Sequence, residues 1–166
     1  AIQSTIVVSR NVWKYVSDLK LDLDPNLPKV NCTPGEINQV ILNLIVNAAH
    51  AIEDKQKLTG NKDMGTIKIR TKHDQENVVI EVSDTGSGIP QSIRQRVYDP
   101  FTTTKQVGRG TGQGLAIART VIVDKHQGQI SFQTEDGVGT TFTIVLPIDC
   151  EANVMPEDLE QTATHH

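Results

Sequence analysis

The sequence predicts an α+β domain, a two-layer sandwich with a mixed, mostly antiparallel sheet and helices on one face. Strand-like and helix-like segments are interspersed along the chain, and at least two pairs of strands are joined by short polar turns. A long apolar helix separates the first strand from the others. The 166 residues suit one ordinary domain. With 3 Phe, 2 Tyr and 1 Trp, its core must consist mainly of Ile, Val and Leu.

The first half of the chain contains a short helix, a strand and the long helix. Residues 1–12 suit a helix, and residues 14–24 alternate loosely and predict a strand. The run from Thr33 to Glu36 has the form of a capping box, with Thr33 at the N-cap, Pro34 at the first helical position and Glu36 as the reciprocal partner. The helix that follows is expected to reach about Lys57.

The second half predicts two hairpins separated by loops and helices. Strands at 66–72 and 78–83 form the first hairpin, and strands at 129–134 and 140–146 form the second around Asp136-Gly137. Between them we expect a glycine-rich loop at 83–90, a short helix at 91–97, a mobile loop at 101–113 and a helix at 114–126 that stops at Gly128. The acidic segment beyond Pro147 has no pattern and is expected to be disordered.

Composition excludes several classes of function. Sixteen basic and twenty acidic residues give a net charge of −4, which argues against nucleic-acid binding. Cys32 and Cys150 form neither a disulfide framework nor a metal knuckle, so a reducing, cytoplasmic setting fits best. The most apolar run, residues 40–46, is broken by Asn43, and we expect no direct membrane contact. His165 and His166 resemble the start of a purification tag and are set aside.

A polar stripe along the long helix is the first chemical signal. Glu36, Asn43, Asn47 and His50 share one side of a helix that is otherwise apolar nearly all round, a pattern typical of burial. Buried amides need partners because an unpaired one costs about 1–3 kcal/mol. The stripe therefore forms an internal hydrogen-bond network or a solvated edge, or it lines a cavity for a polar ligand or cation.

Two glycine-rich loops are the second signal. Asp84-Thr-Gly-Ser-Gly88 follows a strand but lacks the spacing of a dinucleotide-binding fingerprint, and Asp84 could form a turn or accept a hydrogen bond from the amino group of a base. In residues 108–114, glycines alternate directly before a helix, with Lys105 and Arg109 beside them. This arrangement favours a polyphosphate site over a flexible linker.

Four blocks in order resemble the N, G1, F and G2 boxes of histidine kinase catalytic domains. They are EINQVILNLIVNAAHA (36–51), DTGSGIP (84–90), DPFTTTK (99–105) and GRGTGQGLAIA (108–118). The resemblance covers about residues 13–147 and is greatest to PAS-linked kinases of the nitrogen-regulation type. It implies the Bergerat ATP-binding fold of the GHKL superfamily, with ATP and Mg²⁺ as cofactors.

The resemblance also implies roles for individual residues. Asn43, Lys105 and Arg109 would be catalytic, with Asn43 also the Mg²⁺ ligand, and Asp84 would accept a hydrogen bond from the adenine amino group. The other implied ATP-binding residues are Asn47, His50, Gly86, Gly88, Ile89, Phe101, Thr104, Gly108, Gly110, Thr111, Gly112, Gln113, Gly114, Leu115 and Thr140. Two positions depart from the pattern: many relatives have Lys at His50, and most have Leu at Gln113.

The resemblance further implies transfer of the γ-phosphoryl group to a histidine on a separate dimerisation domain, with a response regulator downstream. No histidine of this chain has the acceptor pattern. ATPases of the superfamily have Glu in place of Asn43, and asparagine cannot act as a general base. The alternatives are an ATP-binding regulatory module or a GHKL-type ATPase. We expect residues 1–12 to be the end of a helical linker, residues 13–148 to form the catalytic domain and residues 149–166 to be a tail. The sequence leaves open whether the parent protein is anchored in a membrane.

Overall fold

The computed structural model describes residues 2–30, 32–99 and 114–148. Its helices are α1 (Ile2–Trp13), α2 (Pro34–Thr59), a 3₁₀ helix (Gln91–Arg96) and α3 (Gly114–Arg119), which continues as a π-helical segment (Thr120–Lys125). Its strands are β1 (Ser17–Asp22), β2 (Gly65–His73), β3 (Asn77–Asp84), β4 (Gln129–Glu135) and β5 (Gly139–Pro147). No helix within the described ranges is both long enough and apolar enough to cross a bilayer.

The strands form one mixed sheet in the order β1-β2-β3-β5-β4. Among the strands that the structure describes, only β1 and β2 are parallel, and α2 lies between them in the chain. The other pairs are antiparallel. Both predicted hairpins are therefore confirmed, as is the α+β class. Strand β1 is shorter than predicted because α1 extends to Trp13 and a turn follows it.

One face of the sheet packs against α2 and buries the core. Along β3 and β5, alternate residues are buried and the intervening ones are partly exposed, as expected for a sheet with one covered face. Helix α2 contributes most of the opposite layer, including the fully buried side chains Val40, Leu44 and Ile45. Each such side chain stabilises the fold by roughly 1.5–3 kcal/mol. Helix α1 packs against α2 and buries Thr5 and Ser9.

Helix α2 differs from the sequence prediction in its burial. The buried residues lie on one side, whereas the side that carries Asn43, Asn47 and His50 is only half-buried. The expectation of a helix buried nearly all round is therefore wrong, because the sheet covers one side only. The helix also runs two residues beyond Lys57 to Thr59, and Gly60 follows it in the left-handed conformation typical of a helix C-terminus.

The predicted capping box is wrong in its hydrogen bonds. Thr33 is the N-cap residue and Pro34 follows it, but the Thr33 side chain makes no capping hydrogen bond. The backbone N–H of Thr33 donates to Nε2 of His126 at 3.0 Å, and Glu36 forms an ion pair with Lys125 at 2.8 Å. Residues from the end of the π-helical segment thus replace the local partners that a capping box supplies.

The helix predicted at 114–126 is present, but its second half widens into a π-helix. The N–H of Gly128 donates to the carbonyl of Ile122 at 2.7 Å and closes this segment. A Cβ on Gly128 would lie 2.3 Å from the carbonyl oxygen of Val145, so glycine lets the chain enter β4 close to β5. The loop predicted at 101–113 and the tail predicted at 149–166 lie outside the described residues.

Candidate functional site

Asp84, the last residue of β3, is the most perturbed ionisable group of the site. Burial raises the pKa of Asp84 to about 6, although hydrogen bonds from the backbone amides of Gly86 and Thr140 and the charge of Lys55 oppose the rise. Oδ1 of Asp84 accepts the N–H of Gly86 at 2.8 Å, which is the local turn that the sequence allowed. The carboxylate thus both shapes the loop and carries a charge that a ligand donor would stabilise.

The loop after Asp84 is attached to three other elements. The N–H of Ser87 donates to the carbonyl of Ala51 on α2 at 3.2 Å, and the carbonyl of Ser87 accepts from Gly137 in the β4–β5 turn at 2.9 Å. Thr85 and Thr66 exchange hydrogen bonds at the start of β2. These bonds hold the loop between the helix layer and the sheet, so Asp84 is presented on a rigid support.

Gly86 and Gly88 allow this loop to pack closely. A Cβ on Gly86 would lie 2.6 Å from the backbone carbon of Ala51. Gly88 has a φ of +83°, and its Cβ would lie 2.6 Å from the carbonyl oxygen of Glu135. Both glycines therefore have a packing reason in the protein itself, beside the role at the base that the resemblance implies.

Thr140 lies opposite Asp84 in the β3–β5 register and is 4% exposed. Its hydroxyl is 2.9 Å from that of Thr134 on β4. Thr134 also accepts the N–H of Ile89 at 2.8 Å. Ile89 and Leu115, both implied as ATP-binding residues, are partly buried against the hydrophobic core.

The asparagine stripe runs along α2 from the Asp84 loop to the start of α3. Ala51, Asn47 and Asn43 follow each other at one-turn intervals, so about 12 Å of helix separates the loop contact at Ala51 from Asn43. Nδ2 of Asn43 lies 3.5 Å from the carbonyl oxygen of Gly114, and Oδ1 accepts from Gln39 at 3.3 Å. The stripe therefore links the two ends of one elongated site, and its half-buried side chains leave it accessible to a ligand.

The amide oxygen of Asn43 suits a hard cation such as Mg²⁺. This metal is usually held by one or two protein oxygens together with substrate phosphates and water. In the parts of the chain that the structure describes, no group of three His, Cys, Asp or Glu side chains could enclose a metal by itself. The donor set at Asn43 fits a metal that is bound jointly with a phosphate ligand.

The remaining predicted site residues lie outside the described residues. They belong to the segment between Asp99 and Gly114 and are Phe101, Thr104, Lys105, Gly108, Arg109, Gly110, Thr111, Gly112 and Gln113.

Three residues around the loop were missed by sequence reasoning. Thr134 bonds to the loop, Lys55 donates to the carbonyl of Thr85 at 3.1 Å, and Arg94 donates to the carbonyl of Ile89 at 3.0 Å. Arg94 also pairs with Asp136 in the β4–β5 turn at 3.0 Å. Only for Lys55 was there a sequence signal, because it lies one helical turn beyond Ala51 on α2.

Comparisons with known proteins agree on one family. Residues 32–149 match the sequence profile of the family described as "Histidine kinase-, DNA gyrase B-, and HSP90-like ATPase". Sporulation kinase E of Bacillus subtilis is 37% identical over 130 residues, which are 78% of this chain and 16% of the relative. Sensor kinase CckA of Brucella abortus is 36% identical over 86% of this chain and 15% of its own length. Sensory histidine kinase/phosphatase NtrB of Proteus hauseri is 38% identical over 76% of this chain and 36% of its own length.

Two solved histidine kinase structures have the fold of this chain. The nucleotide-free catalytic domain of histidine kinase ThkA superimposes with a TM-score of 0.72 at 29% identity, over 89% of this chain and 91% of that chain. The mycobacterial sensor histidine kinase MprB has the same fold, with a TM-score of 0.72 at 23% identity over 88% of this chain and 92% of that chain. This chain thus spans less than half of each curated relative named above but nearly the whole of these solved chains.

Proposed function

This chain belongs to the family of histidine kinase-, DNA gyrase B- and HSP90-like ATPases, as the ATPase domain of a sensor histidine kinase, and from that premise we propose that it transfers the γ-phosphoryl group of Mg-ATP to a histidine on a separate dimerisation domain. The observation that carries the proposal is the arrangement along α2, where the Asp84 loop meets Ala51 and the amide of Asn43 lies two turns away.

Each end of this site has a chemical task. At one end, the Asp84 carboxylate accepts a hydrogen bond from the amino group of adenine, beside Thr140. At the other end, Asn43 supplies an amide oxygen to Mg²⁺, and Asn47 on the same stripe contacts the phosphates. When bound, the metal neutralises charge on the phosphate oxygens. Lys105 and Arg109 complete the phosphate contacts in this proposal.

Asn43 also favours phosphoryl transfer to a protein over hydrolysis. An amide cannot remove a proton from water, so a general base is missing at that position. Glu36 lies about two turns away and is paired with Lys125 at 2.8 Å. Phosphoryl transfer depends mostly on positioning and charge neutralisation, which the site's residues supply without a base.

The partners follow from the same proposal. The phosphoryl acceptor is a histidine-bearing helical domain of the parent protein, and a response regulator receives the group from it. The requirement for ATP and the absence of a cysteine framework favour a cytoplasmic location for this domain.

The test is transfer of labelled phosphate from γ-labelled ATP and Mg²⁺ to the separately supplied histidine-bearing domain of the parent protein. We expect an acid-labile phosphohistidine on the acceptor and little phosphate release by this chain alone. Asn43→Ala should abolish transfer, whereas Asn38→Ala, which makes the same change on the opposite flank of α2, should preserve it. ATP binding without labelling would indicate a regulatory module, and steady phosphate release by this chain alone would indicate an ATPase.

A further inference from the structure

One peptide unit of the loop after β3 lies between an ammonium group and a carboxylate. The N–H of Gly86 donates to Oδ1 of Asp84 at 2.8 Å, and the carbonyl oxygen of Thr85 accepts from Nζ of Lys55 at 3.1 Å. This carbonyl and this N–H belong to the same amide, the one that joins Thr85 to Gly86. Because a peptide unit is planar and its two polar groups point in opposite directions, Lys55 and Asp84 are held at its two ends.

The two charges stabilise each other through this amide. A cation at the carbonyl oxygen polarises the peptide and makes its N–H a stronger donor, and an anion at the N–H makes the carbonyl a stronger acceptor. Hydrogen bonds to charged groups are also stronger than those between neutral groups. The arrangement therefore favours the ionised form of the Asp84 carboxyl group. In agreement with this geometry, the charge of Lys55 lowers the pKa of Asp84 and so opposes the rise that burial causes.

Contacts between α2 and the loop hold Lys55 in this position. Lys55 lies one helical turn beyond Ala51, whose carbonyl accepts the N–H of Ser87 at 3.2 Å. The loop residues 85–87 therefore run along the last turns of α2, and the backbone of Thr85 meets the side chain of Lys55. That side chain is half-buried, so solvent and salt screen its charge less than they screen the charge of a fully exposed lysine.

The other charged groups around the loop are arranged differently. In the sheet, the residues opposite Asp84 on β2 and β5 are uncharged. The charged side chains on the remaining elements around the loop are Glu53, Asp54, Lys55 and Lys57 on α2, Arg94 on the 3₁₀ helix, and Glu135 and Asp136 at the β4–β5 turn. Two ion pairs engage four of them, one within α2 at 3.3 Å and one between Arg94 and Asp136 at 3.0 Å. Lys55 is the cation of this set that bonds to the amide held by Asp84.

We propose that Lys55 is a positioning residue that, through the amide between Thr85 and Gly86, keeps Asp84 ionised at neutral pH and thereby keeps it an acceptor for the ligand. The inference rests on the proposed function, in which Asp84 accepts a hydrogen bond from the base. It adds a residue from outside the motifs of the site, since Lys55 lies beyond the block at 36–51. Loss of the Lys55 charge should make Asp84 a weaker acceptor near pH 6 but an equal one at pH 8, where the carboxyl group is ionised with or without Lys55.

The first measurement is an NMR titration of the Asp84 carboxyl group in the nucleotide-free full chain, with Lys55→Met as the test variant. Methionine removes the charge and the donor but keeps an unbranched side chain of similar length. The midpoint should lie near pH 6 in the wild type and move upward in Lys55→Met. Lys55→Arg keeps the charge and the donor and should titrate as the wild type does. Lys57→Met makes the same change on the opposite side of α2, at a lysine paired with Glu53, and should leave the midpoint unchanged.

The second measurement is the dissociation constant of Mg-ATP for the same proteins at pH 6 and pH 8. At pH 6, Lys55→Met should bind about two- to threefold more weakly than the wild type, because an interaction between partly exposed charges corresponds to at most about a fivefold factor. At pH 8 the two proteins should bind equally. A merely structural role of Lys55 would weaken binding at both pH values and leave the Asp84 midpoint unchanged, and this result would overturn the inference but not the proposed function. A midpoint that moves without any change in affinity at pH 6 would instead overturn the assignment of Asp84 in the proposed function.

Discussion

Asp84 connects the chemistry of the site to pH. Burial raises the pKa of its carboxyl group from 3.8 to about 6, so the group ionises just below neutral pH. Only the ionised form is a pure acceptor for an amino group. The nucleotide affinity of this domain should therefore depend on pH through this one side chain.

We expect the affinity for Mg-ATP to fall as the pH is lowered from 8 to 5, with the change centred near pH 6. Calorimetric titration across that range measures it. In Asp84→Asn the affinity should be low throughout, and the remaining pH dependence should reflect the phosphates of the nucleotide alone. Parallel pH profiles for the wild type and Asp84→Asn would contradict the assignment of Asp84 to the base.

The same raised pKa has the opposite effect on the stability of the nucleotide-free domain. The folded state binds the proton of Asp84 more tightly than the unfolded chain does. Proton binding at Asp84 therefore stabilises the fold below about pH 4, and this stabilisation is lost as the pH rises through about 6. Asp84→Asn should therefore increase the free energy of unfolding at pH 7.5 by on the order of 2–3 kcal/mol and change it little at pH 4. Denaturant titrations at the two pH values measure both differences.

At the scale of elements, the end of the π-helical segment holds the start of α2. Since the N–H of Thr33 donates to Nε2 of His126, Nδ1 must carry the ring proton and donate to the carbonyl of Val121 at 2.7 Å. His126 is 4% exposed, and its bond to Val121 is buried, whereas its bond to the exposed Thr33 is partly buried. The imidazole therefore joins the helix that follows the glycine-rich segment to the helix that carries the asparagine stripe.

His126→Ala should lower the free energy of unfolding by about 1–3 kcal/mol, because it removes the imidazole partner of the buried Val121 carbonyl and of the Thr33 N–H. Lys125→Ala is the matched control, since it removes an exposed ion pair between the same two elements and should cost less than about 1 kcal/mol. Equal effects of the two substitutions in denaturant titrations would refute the role given to His126.

Elements with local signals were predictable, whereas contacts between distant elements were not. The two hairpins follow from alternating apolar residues around short polar turns, and α2 follows from its helical spacing. The capping box failed because its local rule could not anticipate His126, a partner 93 residues away. Thr134 was missed for the same reason, since only strand register places it beside Thr140 and Asp84. Asn43 and Asp84 stood out from the polar stripe and from the loop after a strand, but their specific roles came from the resemblance of whole motifs, which includes long-range information that single residues lack.

At the scale of the whole molecule, the Asp84 loop joins the two layers of the sandwich. It contacts α2 through Ala51, the start of β2 through Thr66 and the β4–β5 turn through Gly137. A ligand that binds across this junction touches both layers. Changes in how the layers pack at the loop should therefore alter stability and nucleotide affinity together.

Gly86→Ala tests this junction because a Cβ at this position would lie 2.6 Å from the backbone of Ala51. The loop would have to move away from α2 and weaken the hydrogen bond from Ser87 to Ala51, at a cost of about 1–3 kcal/mol in the free energy of unfolding. The affinity for Mg-ATP should fall in the same variant, since Asp84 moves with the loop. Gly35→Ala is the matched control, because a Cβ there meets no atom within 4 Å, and alanine in the first turn of α2 should leave stability unchanged or slightly higher. If Gly86→Ala were as stable and bound Mg-ATP as tightly as Gly35→Ala, the two layers would not be coupled through this loop, and the site would have to be supported from α2 and β3 independently.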